Sequence, residues 1–230
     1  MRWLSLVCLV ASSAAADIVI DRTRIVYPAI ARDVSITLTN PADTPRVVQA
    51  WIDNGDARLQ PEFSDVPFSV TPPIVRMEPG RGQALRIVFH SMQGQAVAAD
   101  RESVYWLNVL SIRPTPSGNH LSLAFRTRIK LFLRPEALGP EAKPLKWRVE
   151  GRCPLRLLAQ NESAFHISLS QVVMSAGGIE YSSSEPPMIP PRTMLTLPMA
   201  GRCDMLSGPA TLQFSIIDDH GITRHHEQAL

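Results

Sequence analysis

A run of alternating apolar and polar residues in the middle of the chain constrains the fold more than any other feature. Apolar side chains occupy every second position from residue 121 to residue 133, apart from Thr127, and mostly polar side chains lie between them. Successive side chains of a β-strand point to opposite faces, so this period of two predicts one strand with an apolar face. At about 3.3 Å per residue the run spans roughly 45 Å, whereas typical strands have only about five or six residues.

Two uses of such a strand are compatible with the pattern. In the first, the whole apolar face is buried in the core of its own domain. In the second, part of that face is left over and the strand is added to the open sheet edge of a partner protein. The periodicity alone does not distinguish between these two alternatives.

Shorter runs of the same kind, separated by turn residues, indicate an all-β protein. Twenty prolines against twelve glycines argue against long helices, because proline lacks a backbone donor. Candidate strands lie at residues 34–39, 47–52, 68–70, 84–89, 104–112, 121–133, 155–159, 166–173, 194–197 and 212–217. A proline-rich stretch separates the first six of these candidate strands from the last four. We therefore expect one β-sandwich at residues 17–136, a linker at 137–146 and a second, smaller β-sandwich at 147–230.

The N-terminal residues 1–16 have the pattern of a secretory signal peptide. Arg2 supplies the positive start, residues 4–10 are apolar, and the alanines at 14–16 form a small-residue cleavage site. We expect cleavage before Asp17, and an uncleaved N-terminal anchor is the alternative. The apolar stretch is shorter than the roughly 20 residues that cross a bilayer, so we expect no insertion of the chain into the membrane.

Removal of the signal peptide leaves two cysteines, Cys153 and Cys203, in a compartment that permits oxidation. We expect them to form a disulfide bond, which stabilises a small domain by restricting its unfolded state. A thiolate metal site is the alternative, although neither cysteine belongs to a Cys-x-x-Cys pair.

The charge balance and the motif content argue against several classes of function. The 23 Lys and Arg residues against 21 Asp and Glu residues give a formal charge of +2, too small for a nucleic-acid-binding footprint. There is no Gly-x-Ser-x-Gly motif and no glycine-rich phosphate loop, so we expect neither an enzyme nor a cofactor. A metal site near the C-terminus is conceivable, but a polar last strand is the simpler interpretation of His220, His225 and His226 beside Asp218 and Asp219.

Several short motifs resemble, in their sequence and their order, the periplasmic chaperones that assemble pili (fimbriae) together with an outer-membrane usher. These motifs are Asp21-Arg22-Thr23-Arg24, Gln49-Ala50-Trp51-Ile52-Asp53, Thr71-Pro72-Pro73, Asp100-Arg101-Glu102-Ser103 and Ile129-Lys130-Leu131-Phe132-Leu133-Arg134-Pro135. The resemblance covers nearly all of the first half, whereas the second half matches mainly through its length, Asn161 and Asp219-His220-Gly221. It implies two immunoglobulin-like β-sandwich domains in an L-shaped arrangement with a cleft between them.

The resemblance also implies roles for individual residues. Arg24 and Lys130 would lie in the cleft and hold the terminal carboxylate of a bound pilus subunit. The long strand would complete the subunit's unfinished sheet by donor-strand complementation, with the side chains of Leu121, Leu123 and Phe125 entering its groove. A charged contact that fixes the angle between the domains would be formed by Glu102, Arg134 and Asp219.

The implied function is that of a periplasmic chaperone that binds, helps to fold and caps pilus subunits and delivers them to the usher. Its partners would be pilus subunits and the usher, and not nucleic acid; self-association of the free protein through its uncovered strand is left open. The alternative is an extracellular pilus subunit or adhesin domain. We favour the chaperone because a strand pattern begins directly after Asp17, without the N-terminal donor extension that a subunit would carry.

The chain departs from the family pattern at three places. Ile112-Arg113-Pro114 stands where Ile-Pro-Pro is usual, and the connection from Pro114 to Asn119 is short. The short connection favours the subclass of chaperones that serves rod-like pili. Cysteine positions in the second domain vary within the family, so the resemblance itself does not imply the disulfide.

Overall fold

The structure, a computed structural model, describes residues 17–90, 98–114, 123–138, 144–152, 154–202 and 208–230. Within these residues the chain forms β-strands and one 3₁₀ turn at Pro61–Phe63, which confirms the expected all-β fold. No helix among them is long and apolar enough to cross a membrane. The predicted signal peptide, Leu121, Cys153 and Cys203 lie outside the described residues, so the expectations for them stay predictions.

Two sheets build the first domain. Their strands are β1 (Val19–Ile20), β2 (Arg24–Pro28), β3 (Val34–Thr39), β4 (Arg46–Asp53), β5 (Phe68–Thr71), β6 (Ile74–Met77), β7 (Gly82–Phe89), β8 (Ser103–Ile112) and β9 (Ala124–Arg134). The first sheet has the order β1-β3-β7-β5, and the second has the order β2-β9-β8-β4-β6. Strands β2 and β9 are parallel, and the other neighbours in both sheets are antiparallel.

Alternate residues of the two sheets point inward and form the core of the first domain. Tyr27 on β2 is fully buried and packs edge-on against Phe68 of the opposite sheet. Its hydroxyl donates to the carbonyl of Ala31 and accepts a hydrogen bond from the backbone N–H of Phe89. The aliphatic part of this core includes Ile25, Ile36, Leu38, Val48, Leu85, Ile87, Leu107, Leu131 and Leu133.

The second domain is another two-sheet sandwich. Its strands are β10 (Lys146–Arg152), β11 (Leu155–Asn161), β12 (Ile167–Ala176), β13 (Ile179–Ser182), β14 (Met188–Ile189), β15 (Thr193–Pro198), β16 (Ala210–Ile217) and β17 (Thr223–Ala229). One sheet has the order β10-β11-β15, and the other has the order β13-β12-β16-β17, with β14 beside β12. Strand β10 begins at the last residue of the predicted linker.

The last strand, β17, is a polar edge strand. His225 and His226 are consecutive in it, so their rings point to opposite faces of the sheet. The Nδ1 atom of His225 is hydrogen-bonded to Ser215, whereas the ring of His226 stacks on Phe214. The two rings therefore do not converge on a shared ligand position.

Asn161, at the end of β11, holds two loops of the second domain together. Its side chain is buried, and its amide donates to the carbonyl oxygens of Phe165 and Pro190 at 2.7 and 2.9 Å. Its Oδ1 atom accepts hydrogen bonds from the backbone N–H and the hydroxyl of Ser163. One side chain thus satisfies backbone groups that would otherwise be buried without partners.

The substitution Asn161→Ala should lower the free energy of unfolding by about 2–4 kcal/mol, because it leaves several buried backbone groups unsatisfied. The matched control is Gln160→Ala, whose side chain hydrogen-bonds to the partly exposed carboxylate of Glu162 and not to a backbone group, with an expected change within about 0.5 kcal/mol. Chemical denaturation of both variants checks this prediction, and equal losses of stability would contradict it.

Candidate functional site

Strand β9 has one apolar face along its length, and the structure divides that face into a buried and an exposed half. Toward the C-terminal end of the strand the face lies in the core of the first domain, through Ile129, Leu131 and Leu133. Leu123, immediately before the strand, and Phe125 are 53% and 44% exposed. The core of the first domain therefore does not use this half of the face.

The exposed half faces a polar end of the sandwich. Phe125 lies directly opposite Ser111 on β8, whose hydroxyl donates to the carboxylate of Asp17 at 2.7 Å. The buried guanidinium of Arg46 lies 3.7 Å from the same carboxylate. The guanidinium of Arg113 lies over the ring of Phe125, 5.3 Å from the ring centroid.

The backbone of the same half of β9 has a free edge. Strand β8 pairs with β9 from residue 124 to residue 133, but β2 pairs only with residues 130–134 on the other side. Along residues 124–129 the described part of the chain provides no second neighbour. Every second residue of this stretch therefore has a backbone N–H and C=O available to another strand.

The free edge ends at two cationic side chains. Arg24 begins β2 and lies beside Lys130 in the parallel register. The Nη1 atom of Arg24 donates to the carbonyl oxygen of Ile217 at 2.9 Å, and the Nζ atom of Lys130 donates to the hydroxyl of Ser168 at 2.9 Å. Ser168 and Ile217 are themselves paired across β12 and β16, so both cations extend from the first domain to the second.

Burial and mutual repulsion raise the free energy of these two cations. Burial and the neighbouring charge of Arg24 lower the pKa of Lys130 to about 8. Burial also lowers the pKa of Arg24, partly offset by the charges of Asp219 and Asp218. The Nε atom of Arg24 is buried without a hydrogen-bond partner, and no carboxylate of the described residues lies within ion-pair distance of either cation. A carboxylate bound here would supply the missing negative charge and acceptors.

The three residues of the predicted interdomain contact lie together. Arg134, the last residue of β9, donates from Nε to Glu102 at 2.7 Å and from Nη1 to Asp219 at 2.6 Å. Glu102 is buried and also accepts the backbone N–H of His166 at 2.9 Å. Burial alone would lower the pKa of Arg134, but its hydrogen bonds to Asp219 and the nearby charge of Glu102 raise it overall.

A second interdomain contact was not predicted from the sequence. Arg192 forms an ion pair with the carboxylate of Asp100 and donates to the carbonyl oxygen of the same residue. Nearby, the backbone N–H of Glu102 donates to the carbonyl oxygen of Ala164 at 2.9 Å. Asp100 belongs to one of the motifs noted above, but nothing local marks Arg192 as its partner.

Two protein-family models together match nearly the whole described chain. The model of the pili and flagellar-assembly chaperone, PapD N-terminal domain, matches residues 17–139. The model of the pili assembly chaperone PapD, C-terminal domain, matches residues 140–228. The chain belongs to the pilus-assembly chaperone family.

Individual relatives agree with this assignment. The chaperone protein FimB/FhaD of Bordetella pertussis is 35% identical over 229 residues, which cover 96% of this chain and 91% of that protein. The crystal structure of the YadV chaperone has a TM-score of 0.80 at 33% identity and covers 94% of this chain and 100% of that chain. The SafB chaperone of Salmonella enterica, solved in complex with the SafA pilin, shares the fold with a TM-score of 0.71, 24% identity and coverage of 93% and 95%.

Membership of this family confirms the chaperone function that the sequence favoured. The chain is a pilus-assembly chaperone and not an enzyme, and the alternative of a structural pilus subunit is not supported. The two immunoglobulin-like domains expected from the resemblance are confirmed by the two sandwiches and by the two family models.

The contact of Arg134 with two acidic residues leads to a prediction about stability. Glu102→Ala should lower the free energy of unfolding by about 2–4 kcal/mol, because it leaves the backbone N–H of His166 and part of a half-buried guanidinium without a partner. Asp219→Ala should cost only about 0–1 kcal/mol, because the Asp219 side chain is 49% exposed.

Thermal and chemical denaturation measure the difference, and equal effects would argue against this assignment. Small-angle X-ray scattering of the same variants tests whether the contact fixes the angle between the domains. We expect a broader distribution of interdomain distances for Glu102→Ala than for Asp219→Ala.

Proposed function

We propose that this chaperone binds a pilus subunit by adding β9 to the subunit's open sheet, with the subunit's C-terminal carboxylate held between Arg24 and Lys130. One observation carries the proposal: the exposed apolar side chains of Leu123 and Phe125 lie on a free strand edge that ends at two cations, and neither cation has a carboxylate partner among the described residues. Leu121 is expected to extend the same face by one further position.

The geometry of β2 and β9 gives the direction of the bound strand. Strand β2 runs parallel to β9 and begins at Arg24, beside Lys130. A guest strand, meaning a strand of the subunit paired with residues 124–129, would lie on the same side of β9 as β2 and in line with it. One end of the guest strand would then lie next to Arg24. If that end is a C-terminus, the guest strand runs parallel to β9.

A fixed carboxylate would set the register of the guest strand. Lys130 and Phe125 are five residues apart on β9, which corresponds to roughly 17 Å along the strand. A shift of one residue would turn every guest side chain to the opposite face. Burial of each donor side chain contributes about 1.5–3 kcal/mol before the costs of ordering and association are subtracted. The carboxylate therefore mainly provides register, and the apolar side chains provide affinity.

We assign the chaperone to the periplasm and expect it to deliver its subunit to an outer-membrane usher. The leader-like residues 1–16 support export, and the family assignment supports both the compartment and the usher. The division into residues 17–136, 137–146 and 147–230 and a disulfide between Cys153 and Cys203 belong to the same proposal. The boundary between the two family models at residues 139 and 140 supports the proposed linker.

The anchoring role can be tested by native mass spectrometry of the chaperone co-expressed with candidate pilus subunits. We expect a one-to-one complex for the parent protein and a loss of at least about tenfold in complex for Arg24→Ala and Lys130→Ala, because removing one partner of a buried charge pair typically costs about 2–5 kcal/mol. The matched control is Arg86→Ala, which removes an ion pair with Asp33 on the other sheet of the same domain.

Circular dichroism checks that all three variants remain folded. Unchanged complexes in the Arg24 and Lys130 variants would refute the anchoring role. Native mass spectra of the free parent protein report whether it self-associates.

The lowered pKa of Lys130 predicts a pH dependence of subunit binding. The carboxylate binds to the protonated amine, so affinity is fully present below the free-state pKa of about 8 and decreases as the pH rises through that value. Between about pH 7 and about pH 9 the affinity should fall up to about tenfold, the factor expected for loss of one proton.

Lys130→Arg is the control, because a guanidinium keeps its charge over this range and should remove the pH dependence. Titration calorimetry or surface plasmon resonance with the captured subunit provides the measurement. An equal pH dependence in the parent and in Lys130→Arg would show that another group is responsible.

A further inference from the structure

The polar face of β9, opposite the exposed apolar side chains, covers two completely buried polar residues. Arg126 and Arg128 alternate with the donor positions and point to the outer face of the sheet. Beneath them lie Asp53, the last residue of β4, and Asn108 of β8, both with 0% of their surface exposed. A carboxylate and an amide are thus buried below the part of β9 that has a single neighbour among the described strands.

Both arginines are held by these two residues through several hydrogen bonds. Asn108 Oδ1 accepts from Nε and Nη2 of Arg126 at 2.9 and 2.6 Å and from Nε of Arg128 at 2.9 Å. Asp53 Oδ1 accepts from Nη2 of Arg128 at 2.7 Å, and Asp53 Oδ2 accepts from Nδ2 of Asn108 at 2.7 Å. The network therefore joins β4, β8 and β9 across three strands.

Two tryptophan rings restrict the arginines further. The guanidinium of Arg126 lies 4.6 Å from the ring centroid of Trp51, and that of Arg128 lies 5.0 Å from the centroid of Trp106. Arg126 also donates from Nη1 to the carbonyl oxygen of Ala57 at 2.6 Å. Each guanidinium plane is thus fixed by an aromatic ring and by hydrogen bonds. An arginine on a solvent-exposed face of a strand needs neither kind of contact.

The network lies where the strand lacks other support. Along residues 124–129, β8 is the one described strand that pairs with the backbone of β9, and on the opposite face Phe125 and the preceding Leu123 are exposed. A strand end with one neighbour and an exposed apolar face opens locally with ease. The two arginines of the network occupy the part of β9 that is free of β2.

We propose that Asp53 and Asn108, acting through Arg126 and Arg128, are positioning residues that hold the free-edged half of β9 extended and in register before a subunit arrives. This inference rests on the proposed function, because it assigns the network a part in subunit binding. The network reduces the ordering that binding would otherwise require and keeps a large fraction of the free chaperone competent to bind.

The test uses Arg126→Gln. This substitution removes the fork of hydrogen bonds from Nε and Nη2 of Arg126 to Asn108 and leaves Arg128 paired with Asp53. Hydrogen–deuterium exchange of the free chaperone should show amides of residues 124–129 exchanging at least about tenfold faster, with β4 and the second domain unchanged. Arg126→Lys keeps the charge without the fork and should give an intermediate rate. The matched control is Arg86→Gln, in the ion pair with Asp33 on the other sheet, with no change in exchange at β9.

The second readout is the rate of association with the pilus subunit that the parent chaperone captures in the mass-spectrometry experiment. Arg126→Gln should lower the association rate constant about 5–20-fold, because fewer molecules are competent to bind, with little change in the dissociation rate constant. A network that only stabilises the fold would lower the thermal midpoint without this selective effect on exchange and association.

The outcomes separate this inference from the proposed function. If Lys130→Ala abolishes capture while Arg126→Gln changes neither exchange nor association, the positioning role is wrong and the anchoring role stands. If capture is unchanged in both variants, the proposed function is wrong, and the role of the network in subunit binding is wrong with it. Faster exchange at β9 together with slower association in Arg126→Gln supports the positioning role.

Discussion

The short contact between β2 and β9 determines which part of β9 keeps a free edge. Where β2 is present, the backbone of β9 has two neighbours and its apolar side chains lie in the core. Before residue 130 the edge of β9 has no partner among the described strands; Ile129 is still buried there, whereas Phe125 and the preceding Leu123 are exposed. An open apolar edge is an aggregation hazard in an isolated domain, and it suits a protein whose partner supplies the missing strand. Because β2 begins at Arg24, the open stretch also ends at the cationic pair.

The alternating run predicted a strand at residues 121–133, and the structure has β9 at Ala124–Arg134. The pattern did not reveal where burial stops, because that point depends on β2, which comes from the other end of the domain. Strand β2 contains an arginine and a proline and has no clear alternation, and it was not among the candidate strands. Arg24 and Lys130 were paired through the family resemblance, since no local pattern indicates a parallel register between strands so distant in sequence.

The network below β9 shows a second limit of sequence reasoning. Asp53 was part of a motif, and Arg126 and Arg128 were assigned to the polar face of the run, but Asn108 carried no signal. Their burial depends on the adjacency of β4, β8 and β9, and a buried carboxylate is tolerated only where its hydrogen bonds are satisfied. The alternation correctly predicted which side chains share a face. It could not predict that the polar face covers a fully buried carboxylate and a fully buried amide.

The anchor and the interdomain contact depend on each other through the same strand. Lys130 and Arg134 are four residues apart on β9; the first donates to Ser168 of the second domain, and the second pairs with Asp219 of that domain. Arg24 likewise donates to the carbonyl oxygen of Ile217, close to Asp219 in the chain. A change in the angle between the domains would therefore move the hydrogen-bond acceptors of both cations together. In the proposed carboxylate site, the buried ion pair of Glu102 with Arg134 would therefore support binding without touching the subunit.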